Sequence, residues 1–148
     1  MTEPDLPQGH PTGYDAGMAV RREVLGDAHV DRAQAGVTDF TRDFQNLITR
    51  YAWGEIWTRP GLERRTRSAI TLTALMARGH WGEFEMHVRA ALRNGLSEQE
   101  IGEVILQGAI YLGVPTANHA FAVAGEVLHS EARSAQASAA QTCEEGRS

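Results

Sequence analysis

Apolar residues in this chain recur at every third or fourth position from about residue 16 to about residue 130, and they nowhere alternate with period two for long enough to make a strand. No Asn-Gly or Asp-Gly pair lies between β-branched runs, so the usual hairpin signal is missing too. That single periodicity confines the fold to the all-α class, with about six helices. The first is expected over about 16–33. The second, over about 38–53, opens at Thr38 and carries Phe40, Phe44, Leu47, Ile48 and Tyr51 on one stripe. Trp57-Thr58-Arg59-Pro60-Gly61 breaks the period. A third helix is expected from Leu62 to Arg78, ending at Gly79, and a fourth from about His80 to Arg93, ending at Asn94-Gly95. Ser97-Glu98-Gln99-Glu100 is a capping box for a fifth that closes at Gly113. Pro115 suits the first turn of a sixth, which runs to about Ser130.

The 148 residues fit one domain. Residues 1–14 hold three of the five prolines and are expected to be a flexible leader, residues 15–130 the folded domain, and the Ser/Ala/Gln-rich residues 131–148 a disordered tail. The fifth helix is apolar around most of its circumference, which fits burial either within one chain or between subunits.

All 14 basic side chains are arginine, and the only cysteine is Cys143. Schiff-base chemistry needs a lysine amine, and a dithiol or zinc-thiolate centre needs more than one sulfur. Both are excluded within one chain. The net charge of −5 is concentrated in the first 39 residues, and 40–128 are neutral, so no basic stripe marks a nucleic-acid partner. No apolar run is long enough to span a bilayer, and no signal peptide opens the chain. A cytoplasmic protein without a membrane partner is expected.

On the fourth helix a polar stripe of His80, Glu83, His87 and Asn94 runs between two apolar flanks. Glu83 and His87 are one turn apart. A carboxylate that orients an imidazole is what acid–base catalysis requires, yet the same spacing also describes a pair that only stabilises the helix. A metal site is a third reading, weakened because three ligands at i, i+3 and i+7 do not converge on a point. The other dense region, residues 51–68, combines tryptophans with Arg59, Arg64, Arg65 and Arg67 at a loop-to-helix junction. Such a set can grip a small carboxylate beside an aromatic wall, or it can be exposed helix charge over core tryptophans. Arg65 shares a face with Ala69, Leu72 and Met76 and is expected to point inward, with Arg59 and Arg67 next as anion binders and Trp57 as the apolar contact. His119 is a candidate for the same cleft or a structural helix-start histidine.

YAWGEIWTRPGL at 51–62, RRTRS at 64–68, HVRAALRNGLSEQEI at 87–101 and YLGVPTANHAF at 111–121 together resemble the γ-carboxymuconolactone decarboxylase family of the alkylhydroperoxidase-D-like superfamily. The peroxidase members of that superfamily carry Cys-x-x-Cys followed by three residues and a histidine. Here the thiol positions are His80 and Glu83, the histidine is His87, and Ser68 stands at the acidic position. The resemblance implies an alkylhydroperoxidase-D-like helical domain and a carboxy-lyase that needs no cofactor and no metal. It also implies a homo-oligomer, a hexamer or trimer. The substrate would be a small dicarboxylate lactone, 4-carboxymuconolactone, converted to 3-oxoadipate enol-lactone and CO2 in protocatechuate breakdown by the β-ketoadipate pathway. His87 and Glu83 would be the acid–base pair. Arg65, Arg67, Arg59, Trp57, His80 and His119 would contact substrate.

Overall fold

Gly26, at φ 87, occupies a backbone region that side chains with a Cβ avoid, and it cuts the expected first helix in two. In the computed structural model, which describes residues 13–145 with side chains to residue 142, the result is α1 (Gly13–Leu25) and α2 (Asp27–Ala35). The expected leader lies outside the described residues except for Gly13 and Tyr14, which open α1. Among the described residues there is no strand, so the all-α class holds. The chain divides between Arg67 and Ser68 into two units.

In the first unit the second expected helix becomes α3 (Arg42–Ile48) followed by a π-helical segment, Thr49–Ile56. Residues from Thr38 form a turn instead of the helix start, with Thr41 capping α3. The wide π turns are marked by the bond from the Trp57 N–H to the Ala52 carbonyl at 3.0 Å, five residues back. The segment packs against α1 at very short range. A Cβ on Gly17 would collide with the Thr49 carbonyl and lie 2.8 Å from the Gly54 nitrogen, and a Cβ on Gly54 would collide with the Gly13 carbonyl. Around this contact Val24, Leu25, Val30 and Trp53 form a small core.

Arg21 is only 5% exposed, on the same buried face of α1. It donates to Thr49 Oγ1 at 3.2 Å and Gln45 Oε1 at 3.3 Å, so a buried guanidinium bridges α3 and the start of the π segment. Burial pushes its pKa below arginine's usual value, because desolvation disfavours the charged form. The apolar stripe expected on the second helix does form, but it faces outward in the single chain. Phe40 is 96%, Phe44 60%, Leu47 61% and Tyr51 65% exposed.

The second unit contains most of α4 (Arg64–Arg78), α5 (Trp81–Arg93), α6 (Glu98–Leu112) and α7 (Val114–Glu145). Its core joins Leu72 and Met76 of α4, Phe84 and Val88 of α5, Ile101 and Ile105 of α6, and the alanine ridge Ala117, Ala120 and Ala124 of α7. The stops read from sequence for the third, fourth and fifth expected helices hold. Gly95, at φ 93, ends α5 in a conformation costly for any other residue, and both bonds of the Ser97–Glu100 capping box are made. α4 begins at Arg64, two residues later than expected.

Residues 131–145, expected to lack structure, instead continue α7. Alanine, glutamine and glutamate favour helix over coil, and Glu131 is tied to Arg89 of α5 at 3.3 Å. Arg89 also reaches Glu85 at 2.9 Å, which realises part of the charged ladder along α5. α6 buries Ile101, Ile105 and Gly108 but leaves Leu106, Ile110 and Tyr111 exposed.

Two glycine substitutions test this packing in opposite senses. Gly17→Ala should cost about 2–3 kcal/mol, since backbone must move to admit the methyl group. Gly125→Ala, on a face of α7 with open space around it, should gain about 0.5–1 kcal/mol. Urea denaturation midpoints measure both, and a neutral Gly17→Ala would show that α1 and the π segment are not held at this distance.

Candidate active site

α5 starts at His80, whose carbonyl accepts from the Phe84 N–H at 2.8 Å while its side chain stays exposed. From there the helix alternates roles by position. Phe84, Val88 and Ala91 enter the core, Glu85 and Arg89 face water, and the stripe between them carries Glu83 and His87. His87 is 8% exposed, whereas Glu83, one turn earlier, is exposed. The buried imidazole thus lies one turn from a solvated carboxylate position, at the edge of an apolar core.

The last polar residue of the stripe has a different explanation. Asn94 donates through Nδ2 to Ser68 Oγ at 2.9 Å, and Ser68 is fully buried on α4. Asn94 therefore fastens the end of α5 to α4. His119 of α7 packs edge-on against Trp81, with ring centroids 4.3 Å apart, and Trp81 in turn meets Phe84 edge-on at 5.7 Å. The second unit thus links His119 to the first turn of α5, and it gives that histidine a packing role on an aromatic ledge. Among the described residues, no group of three His, Cys, Asp or Glu side chains is placed to hold a metal ion.

A second set forms within the first unit. Trp57 and Arg59 line a cleft of about 460 Å³ together with Val20 of α1, Leu62, Arg64 and two acids, Glu23 and Glu63. Trp53 stacks on Trp57 with centroids 5.3 Å apart, so the buried ring supports the one that lines the cleft. Of the arginines singled out in the sequence, Arg65 is exposed rather than inward-facing. The helical frame that predicted its direction begins only at Arg64, and the first turn of α4 is not yet packed on the core. Arg67 donates through Nη2 to the Arg59 carbonyl at 2.9 Å, and its Nε is buried without a hydrogen-bond partner.

Arg64, not chosen among the expected anion binders, lines the cleft and pairs with Glu23 at 2.5 Å. Arg21 was missed altogether. The signal was present, because it stands at i+4 from Gly17 and three before Val24, on the buried face of α1.

The chain is thus a helical domain that buries a histidine one turn after an exposed glutamate, a candidate acid–base turn. The comparisons agree with that class, and the chain belongs to the carboxymuconolactone decarboxylase family, whose profile matches residues 42–126. It is 48% identical to the 4-carboxymuconolactone decarboxylase of Acinetobacter baylyi over 78% of this chain and 86% of that protein. It is 41% identical to the nitrosuccinic acid decarboxylase of Metarhizium robertsii over 78% of this chain and 81% of that one. A 4-carboxymuconolactone decarboxylase sequence from Pseudomonas putida is 62% identical over 42 residues, 28% of this chain and 88% of that sequence.

The Ser68–Asn94 bond is structural and should behave so. Ser68→Ala should lower stability by about 1–2 kcal/mol by stranding the Asn94 amide. Adding Asn94→Ala should then cost less than it does alone, and strictly additive losses in this double-mutant cycle would deny the pair any coupling.

Proposed function

We propose that the chain catalyses the cofactor-free decarboxylation of 4-carboxymuconolactone to 3-oxoadipate enol-lactone and CO2, a carboxy-lyase step of protocatechuate breakdown through the β-ketoadipate pathway. The observation that carries this reading is the buried His87 one turn from Glu83, in a chain 48% identical along most of its length to a decarboxylase of that name.

The substrate chemistry suits a chain without lysine. When the ring carboxylate leaves, its bonding pair moves through the conjugated double bond onto the lactone carbonyl and forms a dienolate. A proton delivered to the carbon next to the carbonyl completes the enol-lactone. The electron sink is in the substrate, so no imine is required from the protein. His87, oriented by Glu83, supplies the proton. The arginine-rich segment around Trp57 supplies the carboxylate grip, and an apolar surround favours loss of the charged carboxylate. His80 and His119, at and beside the first turn of α5, are the further substrate contacts in this reading.

A second substrate is favoured by the Metarhizium relative. A nitro group accepts the electron pair of a departing carboxylate as a lactone carbonyl does, and the resulting carbanion needs the same protonation. Nitrosuccinic acid is therefore the competing substrate to test.

We also place the protein in the cytoplasm as a homo-oligomer, a hexamer or trimer. No helix among the described residues is long and apolar enough to cross a membrane. The single chain exposes two sets of large apolar side chains, one on the turn before α3, α3 and the π segment (Phe40, Phe44, Leu47, Tyr51) and one on α6 (Leu106, Ile110, Tyr111). Monomeric proteins rarely leave large contiguous apolar patches in water, and two such sets per chain suit a closed ring of copies.

Purified protein mixed with 4-carboxymuconolactone, without added cofactor, should release CO2 as the butenolide absorbance falls, and faster than it turns over nitrosuccinic acid. His87→Ala should lower kcat by about 10²–10⁴-fold, the usual contribution of a general acid, with Glu83→Gln losing less. Near-wild-type turnover in both variants would end the acid–base assignment. In solution the wild type should sediment as an oligomer and Phe44→Glu/Leu47→Glu as a smaller species. A monomeric wild type would remove the assembly.

A further inference from the structure

Four arginines crowd residues 59–67, and the first unit uses them unequally. Arg64 is paired with Glu23 at the cleft mouth. Arg65 is exposed and does not line the cleft. Arg67 reaches back across Pro60, Gly61 and Leu62 to donate to the Arg59 carbonyl at 2.9 Å. Arg59 lines the cleft, and among the described residues its guanidinium has no ion pair.

We propose that Arg59 takes a single substrate carboxylate in this cleft, and that Arg67 is a positioning residue that holds the Arg59 loop through the Arg59 carbonyl. For the substrate's identity this rests on the decarboxylase reading above. The site is made of unlike parts. Val20, Leu62 and the Trp57 ring form an apolar wall for a small ring, and the Arg59 fork matches a carboxylate in two parallel bonds.

The cleft's charges also set how many carboxylates it accepts. Arg64 is neutralised by Glu23, so among the acids lining the cleft only Glu63 is left to offset Arg59. A second carboxylate entering the same cleft would meet Glu63 without a free cation to answer it, and like charges at close range repel. The ligand class is a small apolar ring carrying one carboxylate arm.

Latching a loop by its carbonyl has a mechanical consequence. The bond fixes the peptide group of Arg59 itself, so the side chain starts from a defined Cα instead of a mobile turn. Less ordering is then needed when an anion binds.

The test uses two readouts on the full chain, kinetics with 4-carboxymuconolactone and calorimetric binding of furan-2-acetate, a ring with one carboxylate arm that does not react. Arg59→Met should raise both KM and the furan-2-acetate Kd by about 10–100-fold, the loss of one charge-assisted bidentate contact, with kcat within about threefold. Arg59→Lys, which keeps the charge without the fork, should fall between. Arg67→Met should raise the same constants by a smaller factor of about 3–10, and Arg67→Lys should recover most of it by donating to the same carbonyl.

If Arg59→Met leaves both constants within twofold of wild type, the assignment is overturned. If Arg67→Met matches Arg59→Met and lysine does not rescue it, Arg67 touches the anion itself and its positioning role falls. Furan-2-acetate bound through Arg59 by a protein that releases no CO2 would refute the decarboxylase reading and leave the cleft standing. Release of CO2 with indifference to Arg59 would do the reverse.

Discussion

The first unit depends on a backbone-to-backbone contact that only glycine permits. α1 lies against the π segment so closely that Gly17 and Gly54 leave no room for a methyl group. Everything useful in that unit follows from this distance. Arg21 can reach Thr49 and Gln45 only because its helix is pressed onto them, and those bonds repay part of the desolvation of a buried guanidinium. The widened turns carry Trp53 into the core and bring Trp57 to the cleft, where the stacked pair makes a rigid wall. π turns recur at functional sites because they re-aim side chains at little cost in hydrogen bonds, and here the re-aimed group is a tryptophan next to a loop of arginines.

α5 solves a different problem. A histidine at 8% exposure has to be accommodated beside an apolar core, and the helix does this by register. His87 stands between Phe84 and Val88, both fully buried, while Glu83 one turn earlier remains in reach of solvent. Asn94 and Ser68 then fix the far end of the helix to α4, so the register of α5 is set from both termini. A polar stripe that looked uniform in the sequence is divided by the fold, with Asn94 bonded to Ser68, His87 buried and Glu83 exposed.

How far the sequence could be read follows from which forces act locally. Caps, glycine stops and the 3.6-residue period depend on neighbours within a turn or two, so α4, α5 and α6 were legible to within about two residues. Gly26 was visible too, but an isolated glycine inside an apolar period does not reveal its φ. The π segment was beyond reach, because Phe44 and Leu47 of the stripe belong to α3 and Tyr51 alone, inside the segment, does not reveal the wider turn. Tail helicity was misread for the opposite reason, since composition suggested disorder while alanine-rich propensity favours helix. At the site, the one-turn spacing of Glu83 and His87 was local and therefore visible. The fate of each arginine was not, because it depends on a side chain reaching eight residues back and on a glutamate forty-one residues away.

The missing lysines gain a physical meaning from these arrangements. The relatives of this chain are named for decarboxylating a lactone acid and a nitro acid, and both compounds carry a group that accepts the electron pair left by CO2. A scaffold serving such reactions has to hold an anion and deliver a proton, and neither task calls for an amine nucleophile. Arginine is the better holder, because its fork stays charged at every physiological pH and orients a carboxylate instead of merely attracting it. Its drawback is that several arginines close together repel one another and compete for the same anion. The first unit answers by giving Arg64 a glutamate and Arg67 a carbonyl, which ties down two of the arginines at 59–67 next to the cleft that Arg59 lines.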